Sequence, residues 1–244
     1  MNLLGALGQA VKMDLIKKNP VKHVEVPKTK KYQAEVYTPE EVQILLENVI
    51  DTDMEVPIAL LVGLGLRRGE VLVLRWQDVD LEKGKVCIRR NMVKVGKEII
   101  FKDPKTDTSN REVKLPFTLL KLLQVERKRY LTNKLKMGEQ FEDNGLVVCW
   151  DDGKCINPDT LSQKFRRLIE RIGLKQIRLH DLHHTNATLM LEYGVYIKVA
   201  QQRLGHASIS TTMDIYSHVT EKVEKEAADK LDKGIFEALD IGIG

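Results

Sequence analysis

The apolar residues of this chain change their spacing twice, and this change limits the folds that the chain can adopt. Between residues 84 and 115, the short β-branched runs KVCIRRNMV, KEIIF and REVKL are separated by turn-forming segments, as in antiparallel strands. On both sides the apolar residues recur three or four positions apart, which is the spacing of helices buried on one face. The sequence therefore predicts a mainly α protein with one small three-stranded antiparallel sheet, an α+β fold. The predicted helices cover residues 54–66, 118–135, 158–172, 182–192 and 197–204, and a short one begins near residue 68.

One helix start is especially clear, at the segment Thr38-Pro39-Glu40-Glu41. Thr38 offers a capping hydroxyl, Pro39 occupies the first helical position, and Glu41 can reach back to the backbone of the cap. The apolar residues that follow share one helical face. We therefore expect a helix to open the main domain here.

The chain is predicted to have four parts. Residues 1–18 have helical apolar spacing, and residues 19–37 combine two prolines with many lysines, as expected for an extended basic linker. Residues 38–220 form the main domain. Residues 221–244 are a tail whose charged residues alternate with an apolar stripe, which predicts an amphipathic helix over 221–239. The stripe consists of Val223, Ala227, Leu231 and Ile235.

The composition permits a packed domain and a polyanionic partner but requires no such partner. Apolar residues make up 43% of the chain, and its formal charge is +4 with a pI near 8.8. Cys87, Cys149 and Cys155 form no CxxC pair, which indicates free thiols and excludes a disulfide framework or a cysteine zinc site. No apolar run has the length of a membrane span and no signal peptide is recognisable, so we expect a cytoplasmic protein.

Each conspicuous polar residue has an ordinary structural explanation when it is taken alone. Arg67 and Arg68 could be solvated charges at a helix start, and Tyr216 could be a half-buried core residue. His180 and His184 are four positions apart, but no Glu follows His180 as in the metalloprotease motif. We therefore expect no metal site.

Four segments read together outweigh these separate explanations. The first, GLGLRRGE, contains Arg67, and the second, PKT, places Lys105 between the second and third predicted strands. The third, HDLHHT, opens a helix, and the fourth, LGHASISTTMDIYSHV, places Tyr216 ten residues after His206. In content, order and spacing they resemble the signature of tyrosine recombinases of the phage integrase family. The resemblance covers about residues 38–220 and implies the catalytic-domain fold of these DNA breaking and rejoining enzymes.

The resemblance implies a site-specific recombinase, or integrase, that integrates or excises a phage or mobile element at the bacterial nucleoid. Cleavage of a phosphodiester requires a nucleophile, fixed positive charge for the transition state, and an acid for the leaving oxygen. On the family pattern Tyr216 is the nucleophile and forms a 3′-phosphotyrosyl link. Arg67 binds the non-bridging oxygens, since a guanidinium is a planar, permanently charged fork suited to phosphate. Glu70, one helical turn away, orients that region.

The same pattern assigns proton transfer to three further residues. Lys105, on a turn of the sheet, protonates the departing 5′ oxygen. His180 and His206 transfer protons or donate hydrogen bonds at the phosphate and the tyrosine. Because the covalent link conserves the energy of the phosphodiester, the reaction needs no ATP, and the family pattern implies that it needs no metal. We expect no cofactor, and the sequence contains no P-loop.

His183 departs from the family pattern, because the third motif usually reads His-x-x-Arg and His183 stands at the arginine position. An imidazole is shorter than a guanidinium and is charged only below its pKa. Three interpretations follow: a weakened recombinase that favours mildly acidic pH, rescue by Arg178 or Arg203, or a DNA-binding protein with impaired or absent cleavage.

The resemblance also bears on partners and on organisation. It implies double-stranded DNA, a tetramer on paired DNA sites for a full-length protein, and an accessory directionality factor as a further partner. Residues 1–18 resemble the last helix of a core-binding domain, so the chain looks like a truncated catalytic fragment, and the tail at 221–244 is a candidate contact between protomers. A type IB topoisomerase shares the nucleophile chemistry but fits the fourth segment less well. The candidate DNA contacts are Lys28, Lys30, Lys31, Lys164, Arg166 and Arg167.

Overall fold

The computed structural model describes residues 3–22, 24, 34–95, 98–102, 110–216, 228–229 and 231–232. The chain divides into two compact units, Met1–Gln33 and Ala34–Gly244. Helix α1 (Leu3–Lys12) belongs to the first unit and ends before residue 18, where the sequence predicted its limit. Asp14 adopts a φ of 54°, a left-handed conformation with which an α-helix cannot continue.

Helix α2 (Pro39–Glu47) begins with the predicted capping box. The Thr38 hydroxyl accepts a hydrogen bond from the backbone N–H of Glu41 at 3.3 Å, and the Glu41 carboxylate accepts one from the backbone N–H of Thr38 at 2.8 Å. Pro39 follows the cap inside the helix. The prediction of this helix start is confirmed.

Helices α3 (Glu55–Leu64) and α4 (Arg68–Val73) lie in the core of the second unit. Most of the α3 residues are buried, and the helix packs against two later helices, described below as α5 and α7. It ends at Gly65, whose φ is 63°, and Arg67 then occupies the N-cap of α4. This buried connection fixes the backbone on which Arg67 stands.

Within the described residues, five short strands form two separate sheets. Strands β1 (Val79–Asp80), β2 (Lys85–Ile88) and β5 (Arg111–Lys114) form an antiparallel sheet in the order β1-β2-β5, with Val86 opposite both Val79 and Val113. Strands β3 (Asn91–Val95) and β4 (Glu98–Lys102) pair with each other in an antiparallel register and form a two-stranded sheet.

A small three-stranded antiparallel sheet is thus confirmed, but its strands differ from those expected. The predicted first strand divides at Arg89 and Arg90 into β2 and β3, and β1 supplies the missing third strand. The buried carboxylate of Asp78 explains the division, because Arg90 donates to it at 2.7 Å and Arg89 lies 3.9 Å from it. Two adjacent arginines that turn towards one buried acid cannot both keep the alternation of a continuous strand.

The remaining helices agree with the predicted ones to within two residues at each end, and one additional helix is present. They are α5 (Phe117–Met137), α6 (Pro158–Arg171), α7 (Asp181–Glu192), α8 (Ile197–Leu204) and the unpredicted α9 (Ile209–Tyr216). Helix α7 is buried along almost its whole length and packs against α3, α8 and α9. It is therefore the central support for the segments that carry the predicted site.

Two further sequence expectations can be compared with the structure. The three cysteines are free, as predicted. Among the described residues, no helix combines the length and the apolar character that crossing a bilayer requires. Apart from residues 228–229 and 231–232, the predicted tail helix lies outside the described residues.

Candidate active site

Arg67 and Glu70 form one unit at the start of α4. The Glu70 carboxylate accepts from the backbone N–H of Arg67 at 2.9 Å and from its guanidinium at 3.1 Å. The same guanidinium also donates to the carbonyl of Gly205 at 3.3 Å, which brings the turn after α8 to the start of α4. With 31% of its side chain exposed, Arg67 retains donors that can face a ligand.

Arg111, at the start of β5, completes the surroundings of Glu70. Its two terminal nitrogens donate to the two Glu70 oxygens at 2.9 and 2.8 Å, and its Nε donates to the carbonyl of Arg203 at 2.6 Å. Both side chains of this pair are 6% exposed. Burial by itself raises the pKa of Glu70, but the hydrogen bonds and charge of Arg111, with those of Arg67, outweigh it and leave this pKa below its ordinary value.

Three histidine rings cluster at the start of α7. His180 is exposed at the N-cap and stacks on His183, with centroids 5.6 Å apart and planes inclined by 15°. His184 meets His180 edge-on at 5.3 Å. Desolvation lowers the pKa values of His180 and His184. In the described part of the chain, no group of three or more His, Cys, Asp or Glu side chains is arranged to hold a metal ion.

His183 lies at the centre of a chain of hydrogen bonds. Its Nδ1 is 2.5 Å from the carbonyl oxygen of Gly65, and its Nε2 is 2.8 Å from Nε2 of His206. Nδ1 of His206 is in turn 2.9 Å from the hydroxyl of Thr212 on α9. All three side chains are buried, with exposed fractions of 2% for His183, 7% for His206 and 0% for Thr212.

The buried histidines carry no charge at neutral pH. Burial, with the nearby Arg67 guanidinium, lowers the pKa of His183 to about 2 and that of His206 to about 4. His183 therefore does not replace the charge of the arginine that the family pattern has at its position. The lowered pKa of His183 argues against this residue as the source of the mildly acidic preference, which stays a prediction.

The two arginines considered as substitutes for the missing one have other partners. Arg178 donates to the buried carboxylate of Asp181 through its backbone N–H, its Nε and its Nη2, at 2.8, 3.1 and 2.8 Å. Arg203 donates to the carbonyl of Lys114 at 3.4 Å. Neither contact indicates that Arg178 or Arg203 takes the place of the missing arginine at the phosphate.

The structure brings five of the seven predicted catalytic residues into connected groups. Arg67 and Glu70 are hydrogen-bonded to each other, His183 and His206 likewise, and His180 stacks on His183. Tyr216 is the last residue of α9, and the description of this residue stops at the backbone. Lys105 lies outside the described residues, in the segment between β4 and β5.

The candidate DNA contacts differ in their surroundings. Lys164 pairs with Asp53 and lies over the ring of Trp150, 4.5 Å from its centroid. Arg166 and Arg167 are exposed on α6. Lys28, Lys30 and Lys31 lie outside the described residues.

Arg111 and Thr212 belong to the site but were not among the residues predicted from the sequence. A signal for Arg111 was present, since it lies two positions before the buried Val113 and therefore on the same face of β5, where a charged side chain needs a partner. Thr212 gave a weaker signal, because only the recognition of α9 as a helix would have separated it from its exposed neighbours.

This fold, with Arg67 beside two histidines, defines a class of protein. Comparison with known sequences identifies this class. The profile of the phage integrase family matches residues 35–222, and the chain belongs to this family. The resemblance inferred from the four segments is confirmed.

The similar proteins include a tyrosine recombinase and two integrases. The chain is 31% identical to a XerC-like tyrosine recombinase of Caldanaerobacter subterraneus and 30% identical to the ICEBs1 integrase of Bacillus subtilis. Each alignment covers 91% of this chain but only 61% of the relative, so the chain spans about three-fifths of the length of these relatives. The fold is similar to that of the Tn1549 transposon integrase, solved with a circular intermediate DNA, with a TM-score of 0.74 and 20% identity over 93% of this chain and 76% of that one.

Proposed function

We propose that this chain is the catalytic part of a site-specific DNA recombinase that integrates or excises a mobile element. The observation that carries the proposal is the link between Arg67, the Gly205–His206 turn and α9, the helix that ends at Tyr216. It brings together the residue proposed to bind phosphate, a residue proposed for proton transfer or hydrogen bonding, and the helix that carries the proposed nucleophile. The DNA-bound transposon integrase of similar fold supports double-stranded DNA as the partner.

In the proposed reaction, the Tyr216 oxygen attacks the phosphorus and the bond from phosphorus to the 5′ oxygen breaks. The guanidinium of Arg67 binds the non-bridging oxygens, and Glu70, held by Arg111, keeps that guanidinium oriented. Lys105 gives a proton to the departing 5′ oxygen, His180 assists in removing the proton of Tyr216, and His206 donates a hydrogen bond to the phosphate. Attack by a 5′ hydroxyl of a second strand reverses these steps and completes the exchange.

A second candidate function follows from the neutral His183. If Arg67 alone supplies the positive charge at the non-bridging oxygens, the chain could hold DNA and cleave it poorly or not at all. The burial of His183 and its lowered pKa favour this alternative. The two candidates differ in a single observable, the covalent adduct between protein and DNA.

We further propose that the chain has four parts and that its full-length form has partners besides DNA. Residues 1–18 are the end of a core-binding domain, 19–37 a basic linker, 38–220 the catalytic domain, and 221–244 a tail that contacts a neighbouring protomer. The full-length protein assembles as a tetramer on paired sites at the nucleoid, with an accessory factor that sets direction. On α6, Arg166 and Arg167 are better candidates for phosphate contacts than Lys164, because Lys164 already has an acidic partner.

The adduct can be detected on a denaturing gel with a nicked suicide duplex that carries the attachment site of the encoding element. We expect the native chain to form an adduct that Tyr216→Phe abolishes. Tyr193→Phe is the matched control, because Tyr193 is 69% exposed at the end of α7 and has no assigned role. Adduct in Tyr216→Phe would contradict the assignment of the nucleophile.

Two further outcomes separate the alternatives. Binding of the duplex without adduct would favour the DNA-binding function, and the longer protein with its complete core-binding domain would then be tested in the same way. Relaxation of supercoiled DNA without sequence preference would indicate a topoisomerase.

A further inference from the structure

The Thr212 hydroxyl lies where it can influence which ring nitrogen of His206 carries the proton. It is fully buried, whereas Ile209, Ser210, Thr211 and Met213 on the same helix are exposed. Its hydroxyl is 2.9 Å from Nδ1 of His206. The only described partner of the other ring nitrogen of His206 is Nε2 of His183, at 2.8 Å.

The carbonyl of Gly65 is the first acceptor in this series of hydrogen bonds, and it sets the direction of each bond that follows. The carbonyl of Gly65 can only accept, so the proton of His183 must be on Nδ1. A neutral imidazole has one N–H, and Nε2 of His183 is therefore a lone pair that accepts from Nε2 of His206. Nδ1 of His206 then has no proton and accepts from the Thr212 hydroxyl. The reverse order would place two lone pairs against each other at Gly65.

We propose that Thr212 is a positioning residue that, together with the Gly65–His183 hydrogen bonds, holds the proton of His206 on Nε2 and ties this ring to the helix that carries Tyr216. Thr212 and Tyr216 are four positions apart on α9, which places them one turn apart along the same side of the helix. The lowered pKa values of both histidines agree with neutral rings. The inference rests on the proposed recombinase function only for its effect on cleavage.

The tautomer matters because the two forms of His206 offer a phosphate opposite groups. With the proton on Nε2, the ring can leave His183 and donate to a phosphate oxygen. With the proton on Nδ1, the same edge of the ring presents a lone pair, which a phosphate oxygen repels. Thr212 thus keeps His206 in the form that can act as a donor.

The test compares Thr212→Val, which replaces the hydroxyl by a methyl group of similar size, with Thr212→Ser, which keeps the hydroxyl. Thr211→Val is the matched control, because Thr211 is the exposed neighbour on the same helix. Because the buried Nδ1 of His206 loses its hydrogen-bond partner, we expect Thr212→Val to slow adduct formation by roughly ten- to a hundredfold. Thr212→Ser should restore most of the rate, and Thr211→Val should not change it.

A second measurement reads the tautomer directly and needs no DNA. Long-range ¹H–¹⁵N spectra of the histidine rings, with His206→Gln to assign the signals, should show the His206 proton on Nε2 in the native chain. Thr212→Val should weaken that preference, and Thr212→Ser should retain it. A native His206 protonated on Nδ1 overturns the proposal.

The two measurements separate this inference from the proposed function. If the native chain forms no adduct but its spectra show the Nε2 proton and its dependence on Thr212, the recombinase proposal fails and the role of Thr212 stands. If adduct forms and Thr212→Val matches the native rate, the role of Thr212 is refuted and the recombinase stands. If Thr212→Val does not fold, the native spectrum and the rate of Thr212→Ser decide.

Discussion

Arg111 binds the carboxylate of Glu70 with both terminal nitrogens, which lie 2.9 and 2.8 Å from its two oxygens. The pair links α4 to β5, and through the Arg203 carbonyl it reaches the end of α8. The residue that orients Arg67 is therefore itself fixed by a buried arginine outside the family's signature segments.

We predict that Arg111→Met lowers the free energy of unfolding by about 3–5 kcal/mol, because it leaves a buried carboxylate without its main partner. Chemical denaturation measures this loss. The double variant Arg111→Met/Glu70→Gln should recover a large part of it, since no uncompensated charge is then buried. Lys85→Met is the control, because it breaks the solvent-exposed pair with Glu112, the neighbour of Arg111 on β5, and should change stability little. Equal effects of the two single variants would contradict the role of Arg111.

His183→Arg is predicted to speed adduct formation by about a hundred- to a thousandfold, which is the usual effect of one preorganised donor at a developing charge. An arginine adds a permanent charge at a position where the native ring is neutral. The rate of adduct formation on the suicide duplex measures the gain. If His183→Arg forms the adduct no faster than the native chain, the interpretation that His183 weakens the recombinase is refuted.

Stability is predicted to fall as the pH is lowered below about 6.5. The folded protein keeps His183 and His206 neutral, with pKa values lowered to about 2 and about 4, whereas both rings bind a proton in the unfolded chain below their ordinary pKa of 6.5. The unfolded state thus binds more protons between these limits. The contribution is fully present above pH 6.5 and is lost on acidification, by at most about 1.4 kcal/mol per pH unit for each ring.

Denaturation curves between pH 4 and pH 7 test this prediction. His183→Gln removes one titrating ring and should make the dependence of stability on pH shallower by up to about 1.4 kcal/mol per pH unit. An unchanged slope in this variant would show that His183 is not held neutral in the folded protein.

Gly65→Ala is predicted to destabilise the protein more than Gly173→Ala. Both glycines have left-handed backbones, with φ of 63° and 73°, so both substitutions incur the same kind of strain, about 1–2 kcal/mol. A Cβ at Gly65 would also meet Leu204 at 2.6 Å and the side chain of Asn186, whereas a Cβ at Gly173 meets nothing. Thermal unfolding of the two variants compares them, and equal losses would show that the surroundings of Gly65 yield easily.

Patterns within a few residues of each other were predictable from the sequence, and contacts over long separations were not. The capping box at Thr38 and Glu41 involves residues three positions apart, and it was predicted and found. The division of the first predicted strand depends on Asp78, which lies 12 positions before Arg90, and it was missed. The alternation of β-branched residues carries no information about such a distant acid.

The same limit applies to the candidate site. The family resemblance selected Arg67, His180 and His206, but it could not show that His183 bonds to His206, since this contact depends on the packing of α7 against the turn before α9. Arg111 was missed because its partner Glu70 lies 41 positions away. What a substitution does to a site depends on neighbours that only the folded structure supplies.

The separations in sequence across this site also have a consequence for folding. The bond from His183 to the Gly65 carbonyl spans 118 positions, and the bond from Arg67 to the Gly205 carbonyl spans 138. Closing loops of this length costs chain entropy that local helices and hairpins do not incur, so such contacts form late. We therefore expect the contacts between Arg67, His183 and the Gly205–His206 turn to be completed only when most of the domain has folded, so that any chemistry of this centre depends on a nearly complete fold.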